Sequence, residues 1–186
     1  DIPWDVEALE LSPDGRLLAV VTNENGVSVL RFVSADGEGR TVKLQIPSGV
    51  IAGLEWHGNR NELGFSLTGA RSPAEAWSWD ATGGLTRWTD SETGGLDAST
   101  FIEPKLVKLK SFDGVSVSGF LYLPDATKFP GKRPVLINIH GGPEGQSRPV
   151  FQARNNYYLN ELGVAILYPN VRGSDGYGKT FLAMDN

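Results

Sequence analysis

A self-similarity with an offset of 45 residues runs through the first hundred positions and constrains the fold more than any other feature of the chain. Leu9-Glu10-Leu11-Ser12-Pro13-Asp14-Gly15, with Leu18, falls on Leu54-Glu55-Trp56-His57-Gly58-Asn59-Arg60, with Leu63. At the same offset Gly39-Arg40-Thr41 falls on Gly84-Leu85-Thr86, and Val27 to Phe32 answers roughly to Ala76 to Asp80. Each unit reads as four strands. Val6 to Leu11 alternates, and Ser12-Pro13-Asp14-Gly15 turns because proline fixes φ and glycine tolerates positive φ. Leu17 to Thr22 and Val27 to Phe32 follow, and after the Asp36-Gly37 turn Arg40 to Gln45 supplies the fourth strand. A period near 45 with four strands per unit predicts β-propeller blades. The alternative is a small β-sandwich with chance similarity. Two blades do not close a ring that takes about four to eight, so further blades are expected before Asp1.

A composition boundary near residue 100 ends the repeat. Residues 1–100 carry 7 basic and 15 acidic side chains, whereas 101–186 carry 10 and 7. Beyond the boundary, Leu106 to Lys110, a Ser111-Phe112-Asp113-Gly114 turn and Val115 to Leu123 read as a hairpin. Lys128 to Pro134 is a polar loop. Val135-Leu136-Ile137-Asn138-Ile139 is apolar and β-branched, as a strand buried on both faces of a largely parallel sheet is expected to be. Helical spacing from Phe151 to Leu162 ends at Gly163, placed as a C-cap, and Val164 to Tyr168 is a second buried strand. Thr180 to Met184 opens another helix, which is expected to continue past Asn186. The order strand, strand, strand, His140-Gly141-Gly142 loop, helix, strand resembles the front of an α/β-hydrolase fold, so the fold class expected is mixed: partial β-propeller over 1–100, about two blades, then the start of an α/β-hydrolase fold over 101–186.

In that fold the loop after the third strand supplies part of the oxyanion hole, and here the loop is His140-Gly141-Gly142. A backbone N–H must face the developing oxyanion at about 3 Å, and glycines let the main chain curl around the substrate carbonyl. A tight strand-to-helix turn with a satisfied histidine is the plain alternative. His140-Gly141-Gly142-Pro143-Glu144-Gly145-Gln146 is followed by Leu167-Tyr168-Pro169-Asn170-Val171-Arg172-Gly173-Ser174-Asp175-Gly176-Tyr177-Gly178. Together these motifs strongly resemble the prolyl oligopeptidase family of serine peptidases, which joins a β-propeller to a C-terminal α/β-hydrolase domain. The His-Gly-Gly-Pro form is most similar to the acylaminoacyl peptidase and dipeptidyl aminopeptidase-like branch. The resemblance implies that Gly142 donates its N–H to the oxyanion, that Gly141 allows the approach, and that His140 fixes the loop. Arg172 and Tyr177 are expected to brace it, Arg172 by pairing with a carboxylate outside this chain. A histidine preceding the nucleophile cannot be the triad base, which comes last in chain order.

No Gly-x-Ser-x-Gly elbow occurs: Gly145-Gln146-Ser147-Arg148-Pro149 and Gly64-Phe65-Ser66-Leu67-Thr68 both lack the closing glycine. By the resemblance, the serine, aspartate and histidine of the triad lie beyond Asn186, with the elbow within about 50 to 80 residues. The 186-residue chain alone is expected to be inactive. A non-catalytic β-propeller binding module with an α/β appendage, and a carboxylesterase, are the competing functions. A net charge of -5 disfavours a nucleic-acid partner, and no apolar run approaches the roughly 20 residues that span a bilayer. The chain has no cysteine, which removes thiolate metal sites and cysteine nucleophiles. His57 sits in a turn without a second ligand at metal spacing, and no metal or cofactor is expected. The expected partners are short peptides and the remainder of the polypeptide, with a homo-oligomer open. The opening Asp1-Ile2-Pro3-Trp4 reads as a cut in something longer, and with no signal peptide a cytoplasmic address is expected. The five tryptophans are expected to pack between blades.

Overall fold

The computed structural model describes residues 3–39, 41–142 and 144–185, so that Arg40, at the predicted start of a fourth strand, and Pro143, in the glycine loop, lie outside the described residues. The first four strands, β1 (Asp5–Leu11), β2 (Leu17–Glu24), β3 (Val27–Ser34) and β4 (Val42–Lys43), form one antiparallel sheet in sequence order. A second such sheet follows, of β5 (Val50–Trp56), β6 (Glu62–Gly69), β7 (Ser72–Asp80) and β8 (Gly84–Arg87). The 45-residue offset is a register as well as a pattern. Asp5 pairs with Asn23 where Val50 pairs with Thr68, and Leu11 with Leu18 where Trp56 pairs with Leu63. Each first strand also carries an irregularity, between Val6 and Ala8 in β1 and slightly further along, between Ala52 and Glu55, in β5. Two boundaries depart from expectation. The third strand of the second unit starts at Ser72 rather than near Ala76, and β4 is shorter than Arg40 to Gln45. Leu44 N–H still reaches Leu30 O at 2.9 Å, but the chain then runs to Pro47, which has no N–H to extend a ladder.

The core of this half lies between the two sheets. Ala19, Val21, Leu30 and Phe32 pack with Ile51, Leu54, Trp56, Leu63, Phe65 and Leu67. Phe32 stacks on Trp79 at 4.1 Å between centroids, and Trp56 donates its indole N–H to Glu10 O at 3.1 Å. Trp56, Trp77 and Trp79 thus fill the inter-sheet space. Trp88 does not: it follows the edge strand β8, is 65% exposed, and donates to Ser78 Oγ at 2.9 Å. Trp4 instead borders a shallow cleft beside Tyr177. The turns entering β2 and β6 are equivalent. Ser12 Oγ accepts from Leu17 N–H at 2.9 Å in one, and His57 Nδ1 accepts from Asn59 N–H at 3.2 Å in the other, which makes His57 a turn residue.

Glu75, on β7, is the buried charge of this half, with its side chain 1% exposed. Burial pushes its carboxyl up, but Thr89 Oγ1, the Ser91 N–H at 2.7 Å and Arg87 at 3.1 Å outweigh burial and hold it below the usual range. A depressed folded-state value stabilises the fold above the unfolded glutamate value of about 4.3, and that stability is lost as pH falls through the folded value. Glu75→Gln is therefore expected to cost about 1.5–3 kcal/mol at pH 7, the scale of hydrogen bonds to a charged group. Urea melts of parent and variant should converge as pH falls through the depressed folded value of the carboxyl; a gap that persists once the carboxyl is protonated in the folded state would contradict the assignment.

The third sheet is mixed. β9 (Lys105–Lys110) and β10 (Ser116–Tyr122) form the expected hairpin, and β10 also pairs antiparallel with β12 (Ala165–Asn170). β11 (Val135–Ile137) lies parallel to β12 on its other side, giving the order β11-β12-β10-β9. A parallel pair needs a crossover, and α1 (Ala153–Asn160) provides it, with Gly163 at φ +64° beyond its end. Leu159 of α1 packs on Phe120, Tyr122, Ile166 and Tyr168. α2 (Lys179–Leu182) continues into a 3-10 turn at Ala183–Asp185. β11 is not buried on both faces. It is the edge strand, and Val135, Leu136, Ile137 and Ile139 are 41–59% exposed, because no described element covers it.

The two halves meet at the β2–β3 turn. Asn25 and Gly26, at φ +54° and +88°, form a tight turn of the kind Asn-Gly favours. A Cβ on Gly26 would stand 2.9 Å from Phe120 Cε2, so only glycine lets the turn rest on β10. No described helix is long and apolar enough to cross a membrane.

Candidate active site

The strand β11 delivers the glycine loop. Beyond Ile137, Asn138 N–H still bonds Leu167 O at 2.9 Å, and the chain then leaves the sheet at His140. Gly141 and Gly142 are exposed at the open edge of the sheet. Gly142 has φ +122°, and a Cβ there would lie 2.8 Å from the Glu144 nitrogen and 3.0 Å from that of Gly145. At Gly141 a Cβ would meet nothing within 4 Å. The loop therefore demands glycine at 142 and merely accommodates it at 141.

A second loop, after β12, holds the first in place. His140 Nε2 lies 2.8 Å from Ser174 Oγ, and Ser174 Oγ also reaches Val171 O at 2.5 Å. Asp175 N–H donates to Gly145 O at 3.0 Å. Asn170, fully buried at the end of β12, clamps Ser147 twice: its Oδ1 accepts from Ser147 N–H at 2.7 Å and its Nδ2 donates to Ser147 O at 3.1 Å. The same Nδ2 donates to Tyr177 Oη at 2.9 Å, and Tyr177 Oη lies 2.7 Å from Ser118 Oγ on β10. The two sequence motifs are thus one connected structure.

Arg172 finds its carboxylate within the chain, which corrects the expectation of an outside partner. Its Nη2 bonds Asp113 in the β9–β10 turn and Ser111 Oγ at 3.2 Å, and its guanidinium lies 4.9 Å from the centre of the Phe112 ring. The Arg172 guanidinium holds the Asp113 carboxyl below the usual range. The pair formed because the β9–β10 hairpin places its turn beside the loop after β12, a neighbourhood set by sheet order and invisible in local sequence. Sequence reading also missed Asn170 and Ser147 as the centre of the network. A cleft of about 320 Å³ beside the loop is lined by polar groups that include Asn138, His140, Gln146, Arg148 and Gln152.

No family model matches the chain. Among curated proteins, it is 24% identical over 175 residues to an uncharacterised peptidase of Bacillus subtilis, covering 91% of this chain and 25% of that one. It is 21% identical over 174 residues to a prolyl endopeptidase of Elizabethkingia meningoseptica, covering 93% and 24%. Among solved structures, the acylaminoacyl peptidase of Pyrococcus horikoshii superposes with a TM-score of 0.72 at 26% identity, over 97% of this chain and 27% of that one. The relatives are prolyl oligopeptidase-family peptidases. The chain spans about a quarter of the length of these prolyl oligopeptidase-family proteins, and the likeness runs across both the repeated sheets and the mixed sheet.

Proposed function

We propose that this chain is the oxyanion-loop portion of a prolyl oligopeptidase-family serine peptidase that hydrolyses short peptides through an acyl-enzyme. In this reading residues 1–100 are two blades of a β-propeller that restricts access, and 101–186 begin the α/β-hydrolase domain. The observation that carries the reading is the position of Gly142. It stands just past the C-terminal end of a parallel strand whose other edge is open, so a further parallel strand paired to β11 would end beside it. In α/β-hydrolases a strand-to-helix elbow presents the nucleophile at that end of the sheet. A serine hydroxyl there adds to the substrate carbonyl, its proton passing to the triad histidine, and the carbonyl oxygen gains the negative charge. The Gly142 N–H stabilises that charge, the amine leaves with the proton from the histidine, and water then releases the acyl group by the same steps. His140, through Ser174, and Arg172 and Tyr177, through the two loops they join, hold the donor without reacting. The triad would come from polypeptide outside these 186 residues.

A fluorophosphonate probe tests the division of labour. The purified 186-residue chain should remain unlabelled, because it holds an oxyanion donor and no activated serine, while a longer polypeptide that also carries a Gly-x-Ser-x-Gly elbow should label at that serine. Stoichiometric, fold-dependent labelling of a serine in the 186-residue chain would overturn the reading.

A further inference from the structure

We propose that Arg148 is a positioning residue: it latches the glycine loop to the first repeated sheet, so that the oxyanion donor is correctly placed only when the two halves are docked. The proposal rests on the reading of Gly142 as that donor. Arg148 Nη1 and Nη2 grip the two carboxylate oxygens of Glu7 at 2.6 and 3.1 Å, Nη2 also donates to Ser28 Oγ at 3.1 Å, and Nε donates to Gly26 O at 2.9 Å. The Arg148 and Glu7 side chains are 18% and 29% exposed, which sets this bidentate pair apart from a solvated surface bridge. Two residues earlier, Gln146 Oε1 accepts from Asn23 Nδ2 at 2.7 Å, and Asn23 Nδ2 also reaches Glu7 Oε1 at 3.2 Å. The latch therefore holds positions 146 and 148, and between them Ser147 is clamped by Asn170. From there the chain runs through Gly145, bonded to Asp175, back to Gly142.

The repeat shows that this set of residues is an addition to the blade pattern. Glu7 sits at the irregularity of β1, where an extra residue re-aims a side chain. In the second unit the equivalent position stays paired, with Ser66, and the irregularity falls after it, between Ala52 and Glu55, with Gly53 and Leu54 inside it and no acid. At the 45-residue offset Glu7, Asn23, Gly26 and Ser28 correspond to Ala52, Thr68, Arg71 and Pro73. There Ala70 packs on Phe120 and Tyr122 of the mixed sheet, and among the described residues the one hydrogen bond those four positions make to that half is a long one, Phe151 N–H to Thr68 Oγ1 at 3.4 Å. Two sheets of one pattern thus meet the mixed-sheet half differently, and among the described residues only the first bonds the side chains of Gln146 and Arg148.

The test is made in the complete peptidase, with kinetics and amide exchange read on the same variants. Arg148→Ala, and Glu7→Gln as the milder change that keeps side-chain size, should lower kcat about tenfold or more with KM within about twofold, since small misplacement of a preorganised donor is felt in the transition state. Exchange at residues 140–147 should quicken while the cores of β2 and β6 stay protected. Arg148→Lys, which keeps the charge but not the fork, should recover only part of the loss. If Arg148→Ala leaves kcat and loop exchange unchanged while Gly142→Ala abolishes activity, the latch is wrong and the oxyanion reading stands. If Gly142→Ala leaves kcat unchanged, the oxyanion reading fails and takes the positioning role with it. A loss of kcat without faster loop exchange, or one wholly regained with lysine, would also overturn the latch.

Discussion

Gly142→Ala in the complete peptidase is expected to lower kcat about 10²- to 10³-fold, whereas Gly141→Ala should cost less than about tenfold. The contrast follows from the backbone. Position 142 has φ +122°, which L side chains rarely adopt, and a Cβ there would press on the Glu144 and Gly145 nitrogens at 2.8 and 3.0 Å. The loop must turn away to relieve that contact, and the N–H turns with it. Loss of one oxyanion donor costs roughly 3–4 kcal/mol in the barrier, because the hydrogen bond strengthens as charge develops. At 141 a methyl meets open space. Proline at 142 would be a poorer test, since its ring fixes φ near −65° and disrupts the loop as well as removing the donor. Steady-state kinetics on a peptidyl anilide, with circular dichroism to show that both variants fold, check the prediction. Equal activities for the two variants would remove Gly142 from the mechanism.

Asn170→Leu is expected to destabilise the protein by about 3–5 kcal/mol and to free the glycine loop. The side chain is fully buried and satisfies both the N–H and the C=O of Ser147 while donating to Tyr177. Leucine fills the volume but leaves those groups without partners, and each buried orphan costs about 1–3 kcal/mol. Asn170→Asp keeps the acceptor for Ser147 N–H and loses the donor, so it should fall between parent and leucine variant. Equilibrium urea unfolding reads the order, and a leucine variant as stable as the parent would mean that the network contributes nothing.

The repeated sheets were legible because strand alternation and turn chemistry are local, and the 45-residue offset carried even the register of β1–β2 onto β5–β6. The glycine loop and the hairpin before it were equally local. What failed depended on neighbours. Val135 to Ile139 has the composition of a buried parallel strand, but burial is conferred by what lies alongside, and here β11 is an edge. Arg172 and Asp113 are 59 residues apart and carry no periodic signal of their meeting. The helix expected from Phe151 begins only at Ala153, after Gln152, which makes no side-chain cap. A signal for Glu7 did exist: when the two units are aligned, a charge appears in the first where the second has alanine.

The link between Glu7 and Arg148 joins residues 141 positions apart. Contacts of such separation form late, after local hairpins and nearest-neighbour sheets, because the entropy of closing the intervening chain must be met first. A copy whose first sheet has assembled in the wrong register presents no Glu7 to Arg148, and its glycine loop stays unpinned. On the proposed reading, full hydrolytic competence would then be among the last properties acquired during folding, so that a half-finished molecule would act more slowly on the unfolded chains around it.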